Sequence, residues 1–254
     1  FNLAREETWL PLAAFVGAGL IGLVDDIINI KGTGAGVAGL PSSIKFLLTA
    51  AIAFVGGLYF FTKLEVDSIF VPGLSVPLEI GWLIVPLFVL VVVSTTNAVN
   101  FTDGLDGLAG GLAAIVFLAI DNSTLFGVAG FCMTVVGALL SYTWFNVYPA
   151  RFFMGDSGSY ALGTALGVVA MITDTVLLLP IIGAVFVAEA GSSLLQILSK
   201  KLRNGKKIFK IAPLHHHFEA SGWPETKVTM RFWILGQVSG VIGIVIFLLS
   251  GTHV

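Results

Sequence analysis

The chain consists of long apolar runs separated by short polar segments, and the runs do not alternate between apolar and polar positions. Several runs approach the ~20 residues that a helix needs to cross a bilayer. Only helices and closed barrels satisfy their backbone polar groups in lipid, and barrel strands alternate over about ten residues. The pattern therefore predicts transmembrane helices. We expect eight spans: Trp9–Val24, Ile44–Phe61, Trp82–Ser94, Leu105–Ile120, Leu125–Phe145, Tyr160–Thr173, Thr175–Leu198 and Thr229–Leu249.

The composition agrees with this class of protein. Hydrophobic residues make up 56% of the 254 residues and charged residues only 11%, which excludes an ordinary soluble domain. We expect an all-α polytopic membrane helix bundle, with one transmembrane catalytic domain over residues 1–254 and a long loop at 199–228. The single cysteine, Cys132, has no second cysteine to pair with. The chain begins with Phe1 and shows no signal-peptide pattern, so we expect a longer parent protein.

The basic residues give the predicted spans an orientation. One side comprises the loops 25–43, 95–104, 146–159 and 199–228. With their flanks, these loops hold Lys31, Lys45, Arg151, Lys200, Lys201, Arg203, Lys206, Lys207, Lys210, Lys227 and Arg231. The other side has Arg5 and Lys63 alone. The positive-inside rule makes the basic side cytoplasmic. Asp25, Asp26, Asp103 and Asp156 fall on that side, with Asp106 just inside the adjoining span. The pattern therefore predicts a cytoplasmic active site.

Two acidic motifs are candidates for chemistry. GLVDDII ends the first span with Asp25 and Asp26, although the helix dipole favours cations at that end. They form either a polar stop at the membrane boundary, or a general base or Mg²⁺-phosphate site. RFFMGDSGS places Asp156 between glycines that let backbone N–H groups approach an anion. Asp156 can hold a hard cation, and Asp156, Ser157 or Ser159 can also cap the next helix.

The histidine segment APLHHHFE lies in the loop that carries KKLRNGKK. The basic run is either a topology signal or a surface for anionic lipids and diphosphates. Three consecutive histidines lack the spacing of a zinc-binding helix, so a phosphate site is the better interpretation. GAGVAG at 34–39 matches a dinucleotide-binding pattern, but no strand precedes it, and we interpret it as a loop. Glu189 falls inside an apolar span, where it either pairs with a neighbouring group or serves function.

Together these motifs resemble one family. The matching segments are Val24–Asp26, Asn97–Ala109, Trp144–Pro149, Phe153–Ser159 and Pro213–Glu219. In content, order and spacing they resemble the phospho-N-acetylmuramoyl-pentapeptide transferases, a branch of the polyprenyl-phosphate N-acetylhexosamine-1-phosphate transferases. The resemblance implies transfer of phospho-MurNAc-pentapeptide from UDP-MurNAc-pentapeptide to undecaprenyl phosphate. It implies lipid I and UMP as products and Mg²⁺ as cofactor, in the first membrane step of peptidoglycan synthesis at the bacterial plasma membrane. It further implies contact with membrane lipids, no nucleic-acid partner and a homodimer.

The resemblance also assigns roles to residues. Asp156 corresponds to a Mg²⁺ ligand, with Asn100 as a possible second ligand. Asp25 corresponds to the base toward the lipid phosphate, with Asp26 beside it. The residues assigned to substrate are Asn100, Asp103 and Gly155 for the nucleotide sugar, Asp106, Asn146 and Phe153 for uracil, and Gln196, His215, His216 and His217 for the diphosphate.

Two features depart from the family pattern. The family usually has ten spans, and the two missing here are N-terminal, together with substrate-contacting residues between the second and third spans. The family also tends to place a lysine where this chain has Asn29, and we expect Lys45 to supply that phosphate contact.

Three other functions and two mechanisms stay open at this point. The chain could transfer GlcNAc-1-phosphate, act as a transporter or flippase, or bind lipid without catalysis. If it is a transferase, the acceptor phosphate attacks directly, or a covalent phospho-aspartate forms on Asp156 or Asp25. A lipid phosphate has a second pKa near ~6, so Asp25 has little proton to remove at neutral pH and positions the acceptor or the metal instead.

Overall fold

The structure is a computed structural model that describes residues 6–32, 39–74, 76–120 and 125–250. Helices dominate this part of the chain, and its only strands are two of two residues each that pair as a hairpin, which confirms the all-α prediction. The helices are α1 (Glu6–Lys31), α2 (Ser42–Thr62), α3 (Ile84–Thr102), α4 (Leu108–Ala119), α5 (Phe126–Asn146), α6 (Gly155–Ile172), α7 (Leu179–Ile182), α8 (Ala184–Leu202), α9 (Leu214–Glu219) and α10 (Glu225–Leu249). The antiparallel strands β1 (Ser68–Ile69) and β2 (Leu78–Glu79) and a 3₁₀ turn (Gly81–Leu83) lie between α2 and α3.

Five helices in the described ranges are long and apolar enough to cross a membrane, whereas the sequence predicted eight spans. They are Thr8–Lys31, Ser42–Thr62, Gly81–Thr102, Phe126–Asn146 and Glu225–Leu249. The predicted span Leu105–Ile120 forms the shorter helix α4, and Thr175–Leu198 is divided at Gly183 into α7 and the more polar α8. The remaining span corresponds to α6, which is mostly buried by other helices. A helix surrounded by protein does not need the apolar surface that lipid requires.

Helix α6 packs closely against α1 and α3 because small residues line its contacts. A Cβ on Gly163 would lie 2.6 Å from the Cα of Thr96, and one on Gly167 would lie 2.9 Å from the Cα of Val92. The hydroxyls of Thr96 and Thr164 are 2.8 Å apart and satisfy each other inside the bundle. Close backbone approach through small residues is a common way for membrane helices to associate.

Several helix ends differ from the predicted loop boundaries. Helix α3 continues to Thr102, so residues 95–102 are its last two turns and not a loop. Helix α6 begins at Gly155, ahead of the predicted Tyr160. Helix α4 begins at Leu108, so Asp106 lies in the preceding turn and not inside a span. At α3 and α6 the helix ends carry polar residues that face one another, so hydropathy falls before the helix ends. At α4 the apolar Leu105 lies in the turn before the helix, so hydropathy places the start too early.

The helices alternate in direction, and the polar motifs therefore collect at one end of the bundle, which we call the site end. It contains the C-terminal ends of α1, α3, α5 and α8 and the N-terminal ends of α2, α4, α6 and α10. The hairpin lies at the other end, where Asp174 accepts the N–H of Phe70 at 2.8 Å. Residues 34–38 of the GAGVAG segment lie outside the described residues, and Gly39 is the described member of that motif.

The packing of α6 predicts opposite effects for two glycine substitutions. Gly163→Ala should lower the melting temperature of the purified protein in detergent, because the new methyl meets the α3 backbone; overpacking typically costs about 1–3 kcal/mol. Gly137→Ala is the matched control, since nothing lies within 4 Å of its Cβ position on α5. The control should be neutral or stabilising by up to ~1 kcal/mol. Equal melting temperatures for both variants would contradict this account of α6 packing.

Candidate active site

The N-terminus of α6 is capped by a carboxylate from another helix. Asp26 of α1 accepts the N–H of Asp156 at 3.0 Å, the N–H of Ser157 at 3.0 Å and the hydroxyl of Ser157 at 2.7 Å. An anion at a helix N-terminus accepts hydrogen bonds from N–H groups that have no partner within the helix. Its negative charge also interacts favourably with the positive end of the helix dipole. No side chain of α6 itself caps this end of the helix. The prediction that Asp156, Ser157 or Ser159 caps it is therefore wrong.

Glycines allow this contact between α1 and α6. A Cβ on Gly22 would overlap the carbonyl group of Asp156, so only glycine lets the two backbones approach so closely. Gly155 has a φ of +66°, a conformation that favours glycine, and a Cβ there would lie 2.8 Å from a carboxylate oxygen of Asp26. The sequence predicted a substrate role for Gly155; the structure shows its backbone turning α6 onto Asp26.

Asp25 is the buried member of the acidic pair, with 1% of its surface exposed. Its carboxylate accepts the N–H of Leu40, the amide of Asn29 at 3.1 Å and the ammonium of Lys45 at 3.3 Å. A simple polar stop at the membrane boundary would face water. Burial with three donors instead favours a functional site, since a buried carboxylate is stable only when it is paired and hydrogen-bonded.

Lys45 and Asn100 hold Asp156 between them. The ammonium of Lys45 lies 2.7 Å from one carboxylate oxygen of Asp156 and also contacts Asp25, so it bridges the two acids. The amide nitrogen of Asn100 donates to the other oxygen of Asp156 at 2.9 Å and to the hydroxyl of Ser159 at 3.0 Å. Direct contacts therefore join Asp156 to Lys45 and Asn100, to Asp25 through Lys45, and to Asp26 through its own backbone.

The acidic cluster fits a divalent cation. Each of Asp25, Asp26 and Asp156 offers an oxygen, and the three oxygens lie within 4.8 Å of one another. Oxygen ligands of this kind suit Mg²⁺, and the Lys45 ammonium already places positive charge between two of these carboxylates. Asn100 turns its amide nitrogen, and not its oxygen, toward Asp156. It orients Asp156 in this structure, and its role as a metal ligand stays a prediction.

Asp103 follows the last turn of α3, and its pKa depends on the charges of Asp156 and Asp26. Burial and the negative charges of Asp156 and Asp26 raise the pKa of Asp103 to about 7. A neighbouring anion that lifts a carboxyl pKa must lie close enough to repel its charged form. The predicted nucleotide-sugar residue Asp103 is thus electrostatically coupled to the cluster, although no direct hydrogen bond joins them in the described residues.

Asp106 and Asn146, both predicted to hold uracil, join two loops. Asp106 accepts the N–H of Ala150 at 2.8 Å. Asn146 accepts the N–H of Gly107 at 2.9 Å and donates to the carbonyl of Phe152 at 2.9 Å. The side-chain groups that were predicted to bind uracil are thus hydrogen-bonded to backbone groups of the protein. Both residues therefore shape the loops around the site. Their direct contact with a base stays a prediction.

Phe153 is the uracil candidate with a free ring face. Its side chain is 75% exposed and borders a cavity of about 540 Å³ that Tyr142, Met154 and Leu162 also line. An exposed aromatic ring beside a loop anchored by hydrogen bonds can stack on a planar base.

The three histidines have three different environments. His215 is buried and contacts Glu189, whereas His216 contacts Glu219 at 2.7 Å on the partly exposed side of α9. His217 accepts the backbone N–H of Lys210 at 3.1 Å through Nδ1. Glu189 therefore pairs with a neighbouring group, which was one of its two predicted interpretations.

Gln196 and the basic run shape the loop before α9. Gln196 donates to the carbonyl of Phe209 at 2.9 Å and accepts the N–H groups of Ile208 and Phe209. Its amide fixes this loop, and its predicted contact with the diphosphate stays a prediction. Lys200, Lys201, Arg203, Lys206, Lys207 and Lys210 are all exposed around it.

Sequence reasoning missed several groups that build the site. The N–H of Leu40 reaches Asp25 from just beyond the GAGVAG segment, and the amide of Asn29 reaches it from the next turn of α1. Glu225 accepts the N–H of Asp106 at 2.7 Å from the start of α10. An acid in the first turn of a helix is a cap signal, but its partner 119 residues away could not be read from the chain.

Fold and site together define a helical membrane protein with a polar, acid-rich centre at one end of the bundle. The sequence model of glycosyl transferase family 4 matches residues 8–174. The chain is 46% identical to a phospho-N-acetylmuramoyl-pentapeptide-transferase of Bacillus mycoides, over 96% of this chain and 76% of that protein. Proteins with the same name from Thermodesulfovibrio yellowstonii and Chloroflexus aggregans are 40% and 38% identical, over 96% and 99% of this chain and 73% of each relative.

The chain therefore belongs to glycosyl transferase family 4 and, within it, to the family of the phospho-N-acetylmuramoyl-pentapeptide transferases. The relationship that the motifs suggested is confirmed.

The cap formed by Asp26 predicts a difference between the two adjacent aspartates. Asp26→Asn leaves one oxygen in place of two, so the N–H groups of Asp156 and Ser157 should lose protection in hydrogen exchange measured on peptides covering 155–160. Asp25→Asn is the matched control and should leave this protection close to that of the unmodified protein, because the N–H groups of Asp156 and Ser157 donate to Asp26 and not to Asp25. Equal loss in both variants would show that Asp26 is not the cap.

Proposed function

We propose that this protein transfers phospho-MurNAc-pentapeptide from UDP-MurNAc-pentapeptide to undecaprenyl phosphate and releases UMP. The observation that carries the proposal is the arrangement of Lys45 between Asp25 and Asp156 at the site end. It combines a cation for phosphate with acids suited to Mg²⁺ in one small volume. The family relationship supports the choice of substrates, since the relatives carry the name of this transferase.

The reaction exchanges one phosphorus–oxygen bond for another. An oxygen of the lipid phosphate attacks the sugar-linked phosphorus of the UDP-sugar, and the bond between that phosphorus and the bridging oxygen breaks. The bridging oxygen leaves with UMP, and the product is a lipid diphosphate carrying the sugar. Two anions must approach each other, so catalysis depends on positioning and on compensation of negative charge.

Asp25 positions groups in this mechanism and does not abstract a proton. Its carboxylate already accepts three donors, including the ammonium of Lys45. Lys45 lies close enough to both acids to bind a phosphate oxygen in exchange for one of these contacts. Asp26 holds the N-terminus of α6, so Asp156 faces the centre through its side chain while its backbone is fixed.

Asp156, with Asp25 and Asn100 beside it, would hold Mg²⁺. When bound, the ion would compensate the charge of the diphosphate and of the departing phosphate. We further propose that the site end faces the cytoplasm of a bacterial plasma membrane, because the basic loops lie on that side. Homodimer formation is part of the same proposal and is supported by the family resemblance alone.

Asp156→Asn should reduce transfer to less than about a tenth of the unmodified rate, because one carboxylate charge at the metal site is lost. The measurement is UMP release by purified protein in detergent with both substrates. Asp67→Asn is the control, since Asp67 is exposed near the hairpin at the opposite end and should retain full activity. Activity of Asp156→Asn above a tenth of the unmodified rate would refute its role as metal ligand.

Two incubations distinguish the substrates and the mechanism. Comparison of UDP-MurNAc-pentapeptide with UDP-GlcNAc, each with undecaprenyl phosphate and Mg²⁺, should give UMP with the first donor. UMP release with UDP-GlcNAc but not with UDP-MurNAc-pentapeptide would assign the chain to transfer of GlcNAc-1-phosphate. UMP release with neither donor would contradict catalysis. Omission of the lipid acceptor should give no UMP if attack is direct; release of about one equivalent would instead indicate a covalent phospho-enzyme.

A further inference from the structure

Glu189 and His215 form a buried pair beside the site that the mechanism above does not use. Glu189 of α8 is 0% exposed and His215 of α9 is 1% exposed. One carboxylate oxygen lies 2.8 Å from Nδ1 of the imidazole, and the other accepts the backbone N–H of His215 at 3.1 Å. The carboxylate therefore holds the ring and the start of its helix at two points. A buried charge with these contacts requires compensation from its partner.

The other ring nitrogen of His215 has no partner. Nε2 is buried and forms no hydrogen bond among the described residues. It lies against Gly104 of the acidic turn, where a Cβ would overlap Nε2. Gly104 follows Asp103, which responds to the charges of Asp156 and Asp26. A buried nitrogen without a partner carries an energetic cost, and this one faces the turn that borders the acidic cluster.

We propose that Glu189 is a positioning residue that holds Nδ1–H of the His215 imidazolium, so that its Nε2–H is directed at the Asp103–Gly107 turn and donates to a diphosphate oxygen of the substrate. The inference rests on the proposed function and deepens it. An ionised carboxylate only accepts hydrogen bonds, so it keeps a proton on Nδ1. Nε2 can donate only when it carries a proton as well, and in that form the carboxylate compensates the positive charge of the ring. Fixing a ring through its second nitrogen is an established way to orient a functional histidine.

Ring chemistry gives a test that does not depend on turnover. The chain has four histidines, so ¹⁵N-histidine NMR of the purified protein is tractable. The signal of His215, assigned by its loss in His215→Gln, should show a proton on Nδ1. In Glu189→Gln the amide N–H can donate to Nδ1, and that proton should be lost. An unprotonated Nδ1 in the unmodified protein, or an identical ring signal in Glu189→Gln, would overturn the proposal.

A kinetic cycle tests the consequence for transfer. Glu189→Gln should lower kcat by about 10- to 100-fold, the size of effect that loss of a histidine-orienting partner has in metal sites. KM for the UDP-sugar should change little, because the donated bond matters most as charge shifts in the transition state. The double variant Glu189→Gln/His215→Gln should be no slower than His215→Gln alone, since Glu189 acts through His215.

A glutamate at the opposite end of the bundle provides the control. Glu79→Gln changes an exposed side chain of β2 and should change kcat by less than about threefold. Two results would overturn the positioning role. One is a kcat in the double variant that falls by the product of the two single-variant losses, and the other is a kcat in Glu189→Gln equal to that of the unmodified protein. If the unmodified protein releases no UMP while the NMR result holds, the proposed function fails and the orientation of His215 by Glu189 stands.

Discussion

The contact between the end of α1 and the start of α6 determines the geometry of the site. Asp26 satisfies the first N–H groups of α6, and Gly22 gives the two backbones room to meet. This contact fixes the distance between Asp25 and Asp156, which lie on different helices. Without it, neither Lys45 nor a metal ion could contact both acids. The two adjacent aspartates therefore have separate tasks: one organises the helix terminus, and the other faces the centre.

Charge balance explains the rest of the arrangement. The centre collects several carboxylates in a confined volume, and such a group is stable only if cations and donors compensate it. Lys45 supplies the cation between Asp25 and Asp156, and Asn100 supplies a neutral donor. At Asp103, which follows α3, burial and the negative charges of Asp156 and Asp26 raise the pKa to about 7. A site of this kind suits phosphoryl transfer, in which negative charge accumulates and must be offset.

The class of protein and most of the site were predictable because hydropathy and local motifs record them directly. Continuous apolar runs predicted the helices, and the motifs containing Asp25 and Asp156 predicted the acidic centre. The helix ends were less predictable, since residues 95–102 are rich in threonine and asparagine yet helical. Contacts between distant segments were not predictable: Asp26 gave no sign that it caps α6. The sequence marked Glu189 as an unusual intramembrane acid, but only the fold shows that His215 is its partner.

The central claim is that Asp25 and Asp156 contribute to one divalent cation site. Mn²⁺ binds to the same kind of oxygen ligands as Mg²⁺ and is visible by electron paramagnetic resonance. The measurement is a titration of the purified protein, Asp156→Asn, Asp25→Asn and Asp67→Asn with Mn²⁺, following the signal of the free ion. The account predicts binding in the unmodified protein and in Asp67→Asn, and affinity weaker by about tenfold or more in each of the other two variants. Equal affinity in all four proteins would contradict it.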